Sequence, residues 1–327
     1  MTSRRRFLIG CAFLLTSGRT AAQPVRSARL ALLGLQPLAA GTHVFFTRAI
    51  SAGLRDYGYV EGHNVTLDFH TADGKPERMA EVAAQVARAG YDVIITSTNE
   101  VTLAAKQATN SIPIVMALGG NPVGAGLVAS VARPGGNITG LTFDAAPEAY
   151  AKPLEFLREI QPAVRQIGAL RSTASMWEPM WSATRQAGAR LGIDVTPIDV
   201  RTRDDIAPAF EAMIRRGCGA FIFWPDPITF PVVGDVARQA ISHRLLGASL
   251  VAQFADAGGL LSYGPSIADL FRRTSGYVAR ILKGAKPAEL PIEQPTKYEL
   301  VLNLKSARAI GVTVPRSLAL RADRLID

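Results

Sequence analysis

The chain has few of the residues from which most enzyme and metal sites are built. Its 327 residues include only two cysteines and four histidines, and the histidines show no metal-ligand spacing. The sequence also lacks a dinucleotide-binding glycine fingerprint, a phosphate-binding loop ending in Gly-Lys-Ser/Thr, and a Gly-x-Ser-x-Gly nucleophile elbow. We therefore expect no cofactor and no metal, and no motif specifically supports an enzyme.

The chain also has few charged residues. Only 19% of the residues are charged, and the formal net charge is +9. Four of the arginines lie in the first 22 residues, where no acid accompanies them, so +5 remains on the rest of the chain without any basic run. Nucleic acid is therefore not an expected partner. After Cys11 near the N-terminus, only Cys218 remains, which excludes an intramolecular disulfide in a chain without its leader.

The hydrophobic run near the N-terminus is too short for a membrane span. Three arginines precede an apolar segment over Phe7–Leu15, and small residues follow, so we predict a signal peptide over 1–22 and export to the periplasm. The segment falls well short of the roughly 20 residues that cross a bilayer. SRRRFL (3–8) resembles a twin-arginine signal, which leaves that route and general secretion both open. Cys11 lies inside the apolar core rather than after it, which argues against a lipid anchor.

Short apolar runs alternate with amphipathic stretches through the rest of the chain. The runs are mostly continuous and rich in Val, Ile and Leu, as is typical of strands in parallel sheets that are covered on both faces. We predict strands at 28–34, 64–70, 92–98, 112–118, 137–143, 166–172, 193–199, 220–225, 258–264 and 299–304.

The stretches between these runs show helical spacing. One apolar stripe runs from Ile267 to Ile281 and stops at Gly284, and a second covers 177–191. A third helix, which ends at Gly58, is marked by Phe45, Ala49, Ala52 and Asp56. Alternating strands and helices predict an α/β fold, and ten strands suit two doubly wound parallel sheets better than one.

Three segments resemble the substrate-binding proteins of ABC transporters, in the branch that includes tryptophan- and tyrosine-type importers. They are GYVEGHNVTLDFHTADGKPERM (58–79), the central segment 108–142 around GGNPVGAG, and the C-terminal segment 254–315. The resemblance covers almost the whole chain after the leader, in order. It departs at Asn121, where the family usually has an aspartate, so the ligand's identity does not follow from it.

The resemblance implies a type I periplasmic-binding fold with two lobes joined by three crossings. We expect an N-terminal lobe over 27–142 plus 265–291, and a C-terminal lobe over 143–264 plus 292–327. The crossings would lie at Phe143-Asp144, at Gly264-Pro265 and in LPIEQP (290–295). The implied partners are a small-molecule ligand and the membrane permease of an ABC importer, and we expect a monomer.

Candidate ligand residues come from the ends of the predicted strands. In doubly wound sheets, ligands bind beyond the carboxyl ends of strands, where helix N-termini present free N–H groups. The hydroxyls of Ser97 and Thr98, with the helix start at Asn99, suit a carboxylate, although plain N-capping by Ser, Thr or Asn also explains these residues. Asp226 suits an ammonium or a turn, and Trp177 suits ring stacking or the core. The candidates are Gln36, Ser97, Thr98, Asn99, Leu118, Phe143, Asp144, Trp177, Asp226 and Tyr263.

These features predict an extracytoplasmic solute-binding protein. We expect it to capture an amino acid or related zwitterion by lobe closure, with an aromatic side chain favoured, and to deliver it to an ABC importer. Two alternatives stay open, a ligand-sensing partner of a signalling system and a secreted α/β enzyme. Genes for a permease and an ATPase beside this one would favour transport, and turnover of a bound compound would reveal an enzyme.

Overall fold

The computed structural model describes residues 27–35, 42–144, 147–172, 178–224 and 229–327. The predicted leader and three candidate ligand residues, Gln36, Trp177 and Asp226, lie outside the described residues. Within the described ranges, no helix is long and apolar enough to cross a membrane.

The first half of the chain forms a five-stranded sheet in which every neighbouring pair is parallel. Its strand order is β2-β1-β3-β4-β5, so the first strand lies inside the sheet and the chain winds outward in both directions. The strands are β1 (Ala28–Gly34), β2 (Val65–Thr71), β3 (Val93–Thr96), β4 (Ile114–Gly119) and β5 (Ile138–Thr142), and the helices between them are α1 (Thr42–Arg55), α2 (Met79–Arg88) and α3 (Asn99–Ala108).

The second half forms a seven-stranded sheet with the order β12-β11-β10-β9-β8-β6-β7. Its strands are β6 (Gln166–Ser172), β7 (Asp194–Val200), β8 (Ala220–Phe223), β9 (Leu246–Ser249), β10 (Leu261–Pro265), β11 (Tyr298–Asn303) and β12 (Arg324–Ile326). The remaining helices are α4 (Pro147–Ile160), α5 (Glu178–Leu191), α6 (Ile206–Arg215), α7 (Val233–Ser242), α8 (Ala252–Asp256), α9 (Ile267–Leu282), α10 (Leu304–Ile310) and α11 (Arg316–Ala319).

Helices cover both faces of each sheet, which confirms the predicted doubly wound α/β fold. One exception breaks the parallel pattern, because β10 and β11 are antiparallel. The chain leaves the second sheet at the end of β10, packs α9 against α1 and β4, and returns to the same edge. Since β11 starts from the edge where β10 ends, it must run in the opposite direction.

All ten predicted strands are present, with ends within three residues of the expected positions. Two strands were not predicted. β9 has only four residues, Leu246–Ser249, and contains glycine and serine, yet all four are buried between β8 and β10. β12 is a three-residue edge strand that begins with an exposed arginine. Neither carries an apolar run long enough to be recognised.

The helix predictions differ in accuracy. The stripe from Ile267 to Ile281 in α9 is buried as expected. In α1 the predicted face is wrong by one residue, because Phe45 is 43% exposed whereas Ile50 and Leu54 are fully buried. Helix α9 determines which face of α1 is buried, because the ring of Phe271 on α9 stacks on Phe46 of α1 with centroids 4.2 Å apart.

The chain passes between the sheets three times, which confirms the number of crossings. The first follows β5, the second follows β10, and the third precedes β11. At the third crossing Glu293 bridges Leu141 on β5, and its N–H donates to the carbonyl of Gly140 at 3.1 Å. Ile292 and Glu293 are therefore held by the first sheet, while the predicted lobe boundaries stay a prediction.

Candidate functional site

The start of α3 lies directly after β3, at the edge where the carboxyl ends of the first sheet meet. Ser97 is buried, with 8% of its surface exposed. Thr98 has extended backbone, and its hydroxyl accepts from the Val101 N–H at 3.5 Å as the N-cap of α3. Its carbonyl accepts from the Thr102 hydroxyl at 2.6 Å. The capping interpretation of Thr98 therefore has a direct structural basis.

Asn99 fastens the start of α3 to the end of β4. Its Nδ2 donates to the carbonyl oxygen of Gly120 at 2.6 Å, and its Oδ1 accepts from the Gly120 N–H at 3.0 Å. This two-way pairing satisfies one donor and one acceptor of the amide and fixes the loop after β4 against the helix start. Asn99 thus acts first as a positioning group for this edge.

Asp144 lies at the first crossing and is bound by the same loop. Its Oδ2 accepts from the backbone N–H of Asn121 at 2.6 Å. Asn121 has a φ of +42°, and its own side chain accepts from the Gly124 N–H at 3.1 Å. Burial raises the pKa of the Asp144 carboxyl, and the Asn121 N–H offsets this in part. Among the described residues no cation pairs with Asp144, so the carboxylate can accept one from a ligand.

Phe143 connects the hydrophobic cores of the two sheets. Its side chain is half-buried and packs against both cores, and its N–H donates to the Gly119 carbonyl at 2.7 Å. Leu118, on β4, packs half-buried against the core of the first sheet, as does Phe230 from the segment after β8. The two halves of the molecule therefore touch at the first crossing.

Tyr263 belongs to an aromatic cluster of the second sheet. Its ring stacks on Tyr298 at 5.8 Å and meets Phe156 edge-on at 5.4 Å. Burial raises the pKa of the Tyr263 hydroxyl, while nearby Lys152 lowers it. Of the described candidates, the structure gathers Ser97, Thr98, Asn99, Phe143 and Asp144 around the loop after β4, whereas Tyr263 packs among these rings.

Two aromatic residues at the edge of the second sheet, Trp224 and Tyr150, were not among the candidates predicted from the sequence. Trp224 follows β8 directly, is 4% exposed, and lies 6.1 Å from the ring of Tyr150 in the first turn of α4. The Trp224 Nε1 is buried and has no hydrogen-bond partner in the described part of the chain. In the sequence, Trp224 ends an apolar strand, and only its residue type could have marked it as a candidate. A buried tryptophan usually needs an acceptor for its indole N–H.

A separate groove of about 480 Å³ lies between α1 and β2. The ring of His43 stacks on Phe69 there at 5.3 Å, and the Ser51 hydroxyl donates to Glu61 at 2.8 Å. No group of three or more His, Cys, Asp or Glu side chains in the described ranges could hold a metal ion. This groove involves none of the candidate ligand residues.

The family model described as ABC transporter substrate binding protein matches residues 43–326. The chain belongs to this family. A relative named tyrosine-binding protein, from Clostridioides difficile (strain R20291), is 22% identical over 262 residues, which span 79% of this chain and 74% of the relative.

Solved structures resemble this substrate-binding protein over most of its length. One, from Streptococcus pneumoniae in complex with L-Trp, is 25% identical, covers 92% of this chain and 100% of its own, and gives a TM-score of 0.81. A ligand-free, open substrate-binding protein with adhesive properties from Clostridium difficile is 19% identical, covers 92% and 99%, and gives 0.71. At that identity the second likeness shows the fold alone.

Membership of this family establishes the general role of the protein. Its members bind small-molecule ligands, work with ABC permeases and act outside the cytoplasm. The family is one of solute-binding proteins rather than of enzymes. The loop after β4, around which most of the described candidates lie, follows the carboxyl end of β4, and ligands of open α/β sheets bind beyond the carboxyl ends of strands.

Proposed function

We propose that this substrate-binding protein captures an amino acid or similar zwitterion, with an aromatic side chain favoured, and delivers it to an ABC importer after the lobes close. The observation that carries the proposal is the chain of hydrogen bonds that joins the start of α3 to Asp144. Asn99 bonds to Gly120, and the next residue, Asn121, bonds to Asp144. A positive helix end and an unpaired carboxylate are therefore linked through two consecutive residues.

This arrangement suits the two charges of an α-amino acid. The N-terminus of α3, with the Ser97 hydroxyl beside it, favours a carboxylate because the helix dipole and free N–H groups are positive there. Asp144 favours an ammonium, which would also compensate the cost of burying its charge. The sequence placed the ammonium on Asp226, which remains a second proposal.

Aromatic side chains support an aromatic ligand. Phe143 packs against both cores at the first crossing, while Trp224 directly follows β8 and lies near the ring of Tyr150. Rings bind rings favourably when they stack offset or meet edge-on. The names of the relatives support the same ligand class, since one is a tyrosine-binding protein and another was solved with L-Trp.

A ligand screen on refolded, ligand-stripped protein tests the proposal. The set should contain L-tryptophan, L-tyrosine, L-phenylalanine, aliphatic amino acids, aromatic acids without an ammonium and aromatic amines without a carboxylate. We expect thermal stabilisation by aromatic zwitterions, of about 2.7 kcal/mol at 100 times the dissociation constant, and none by the one-charge analogues. If no class stabilises the protein, capture of an amino acid is wrong.

Export, transport and the absence of catalysis need their own measurements. We propose a periplasmic, unlipidated monomer that binds no nucleic acid and releases its ligand unchanged. Fractionation should find the chain outside the cytoplasm without Phe7–Leu15, labelled palmitate should not enter at Cys11, and light scattering should give the monomer mass. Uptake of the labelled ligand should fail in cells that lack this gene. Chemical change of a bound ligand would instead indicate an enzyme.

A further inference from the structure

The indole N–H of Trp224 is a buried donor that the described part of the fold does not use, as are the hydroxyls of Thr142 and Ser262. Trp224 is 4% exposed, and its Nε1 has no acceptor among the residues that the structure describes. Buried polar groups in folded proteins almost always have a partner, so each exception needs a reason. A donor left free in a binding protein is explained when the ligand supplies the acceptor.

The register of the second sheet places Trp224 directly after the carboxyl end of β8. Phe223 pairs with Ser249, and Ser249 pairs with Ser262, so the next residues, Trp224, Leu250 and Tyr263, form the following row on one face. In this row, Trp224 and Leu250 follow the carboxyl ends of β8 and β9, while Tyr263 lies within β10. Ligands bind beyond the carboxyl ends of strands in such sheets.

The first turn of helix α4 lies beside Trp224. Its first turn contains Tyr150, whose ring lies 6.1 Å from that of Trp224, and the helix begins three residues after Asp144. Phe143 packs against the core cluster that contains both rings. Trp224 is therefore on the opposite sheet from Ser97 and α3, but is joined to Asp144 through the first turn of α4.

We propose that Trp224 is a specificity-determining residue, whose indole N–H donates to an oxygen at the end of the ligand away from its ammonium and carboxylate. This rests on the proposed function, which places those two charges at the first sheet. Such a donor selects an aromatic amino acid with a ring oxygen, such as L-tyrosine, over L-phenylalanine. Without that oxygen the N–H stays buried and unpaired in the closed complex.

The test is calorimetry of L-tyrosine and L-phenylalanine on the full exported chain and on Trp224→Phe. We expect the native protein to prefer L-tyrosine by about tenfold or more, and the variant to lose that preference while still binding both ligands. Trp181→Phe is the matched control, because Trp181 is also buried at 5% exposure but has no buried orphan nitrogen. The control should keep the preference.

Two further readouts separate recognition from packing. Without ligand, Trp224→Phe should melt at a higher temperature than Trp181→Phe, because it removes a desolvated donor. In ¹⁵N-labelled protein the three tryptophans give three indole signals, and the one missing in Trp224→Phe should shift with L-tyrosine more than with L-phenylalanine.

The outcomes distinguish this inference from the proposed function. Equal affinity of the native protein for both ligands, or an unchanged preference in Trp224→Phe, would overturn the role of Trp224 and leave amino-acid capture standing. If the native protein binds aliphatic but no aromatic amino acids, only the role of Trp224 fails, and if it binds no amino acid at all, both proposals fail together.

Discussion

Directly after β3 and β4, polar side chains are hydrogen-bonded to nearby backbone groups, whereas directly after β8 a buried indole nitrogen has no partner in the described part of the chain. Asn99 pairs both ways with Gly120, and Thr98 caps α3. By contrast, the Trp224 Nε1, directly after β8, is buried without a hydrogen bond. The hydroxyls of Ser262 inside β10 and of Thr142 at the end of β5 are also buried without one.

The contrast indicates that the edges of the two sheets contribute differently to ligand capture. The loop after β4 is preorganised, because its hydrogen bonds to the start of α3 form without any ligand, and preorganisation lowers the entropic cost of binding. The edge of the second sheet would gain at least one hydrogen bond only when a ligand is enclosed. A ligand that satisfies it would then favour the closed arrangement, as in hinge closure around a solute.

The largest expected effect comes from removing the carboxylate that pairs with the ammonium. Asp144→Asn keeps an acceptor for the Asn121 N–H but loses the charge, so affinity should fall by about 100-fold or more, or about 3–5 kcal/mol for a desolvated pair. Asp323→Asn is the control, since Asp323 likewise accepts a backbone N–H, from Leu300 at 2.8 Å. Calorimetry with the best ligand measures both.

The same experiment on Asp226 decides which sheet holds the ammonium. The sequence prediction assigns this role to Asp226, which lies outside the described residues. If Asp226→Ala costs about 3–5 kcal/mol and Asp144→Asn stays within threefold of the native protein, the ammonium belongs to the second sheet. The comparison of the two edges would then be reversed.

The second crossing should tolerate no added side chain. A Cβ at Gly264 would overlap the carbonyl oxygen of Leu250, so Gly264→Ala should destabilise the protein by about 1–3 kcal/mol or more through backbone displacement. Gly136→Ala is the control, because its Cβ would meet open space. Denaturant unfolding measures both, and equal stability of the two variants would contradict the tight packing of β10 against the segment after β9.

Replacing Asn99 should mainly lower the stability of the protein, whereas replacing Thr98 should mainly lower its affinity for the ligand. Asn99→Ala should reduce stability by about 1–3 kcal/mol, because the backbone groups of Gly120 lose their partners. Thr98→Val should reduce stability by only about 1 kcal/mol as a lost cap, but ligand affinity by about 1–3 kcal/mol if its hydroxyl also meets the carboxylate.

Thr202→Val controls for the loss of a cap, because Thr202 precedes the turn over Arg203–Asp205 in the second half of the chain. It should lower the melting temperature without changing affinity. If Thr98→Val binds ligand as tightly as this control does, Thr98 is a cap and no more.

The smallest expected effect is a pH dependence set by Asp144. Burial raises the pKa of its carboxyl in the folded state, so the folded protein holds this proton at pH values where the unfolded chain has lost it. Stability without ligand should therefore fall as the pH rises from the ordinary aspartate pKa to the raised one. Affinity for a zwitterion should instead fall as the pH is lowered, because acid neutralises the Asp144 carboxylate.

Melting curves and calorimetry across this pH range, on the native protein and Asp144→Asn, test the prediction. The variant should show neither slope, because its amide does not titrate. A native affinity that stays constant down through the raised pKa would show that Asp144 bears no cation in the complex.

Much of the fold was predictable from the sequence because its strands are buried on both faces. A run such as ARLALLG is apolar throughout, and it forms β1 over the same seven residues. The stripe of α9 was equally clear, since a helix that packs on a neighbour must repeat its apolar residues every three or four positions. The candidate site was predictable only as a set of strand ends.

The sequence alone determined the alternation of strands and helices, the number of crossings and the family, because these depend on local patterns or on resemblance along the chain. Tertiary structure decided which face of α1 is buried, the short β9, and the reversal of β11. It also decided that Asn99 bonds to Gly120, that Asp144 bonds to Asn121, and that Trp224 keeps a free N–H. Those relations join residues that are far apart in the chain. Strand register and packing bring them together, and no local periodicity records them.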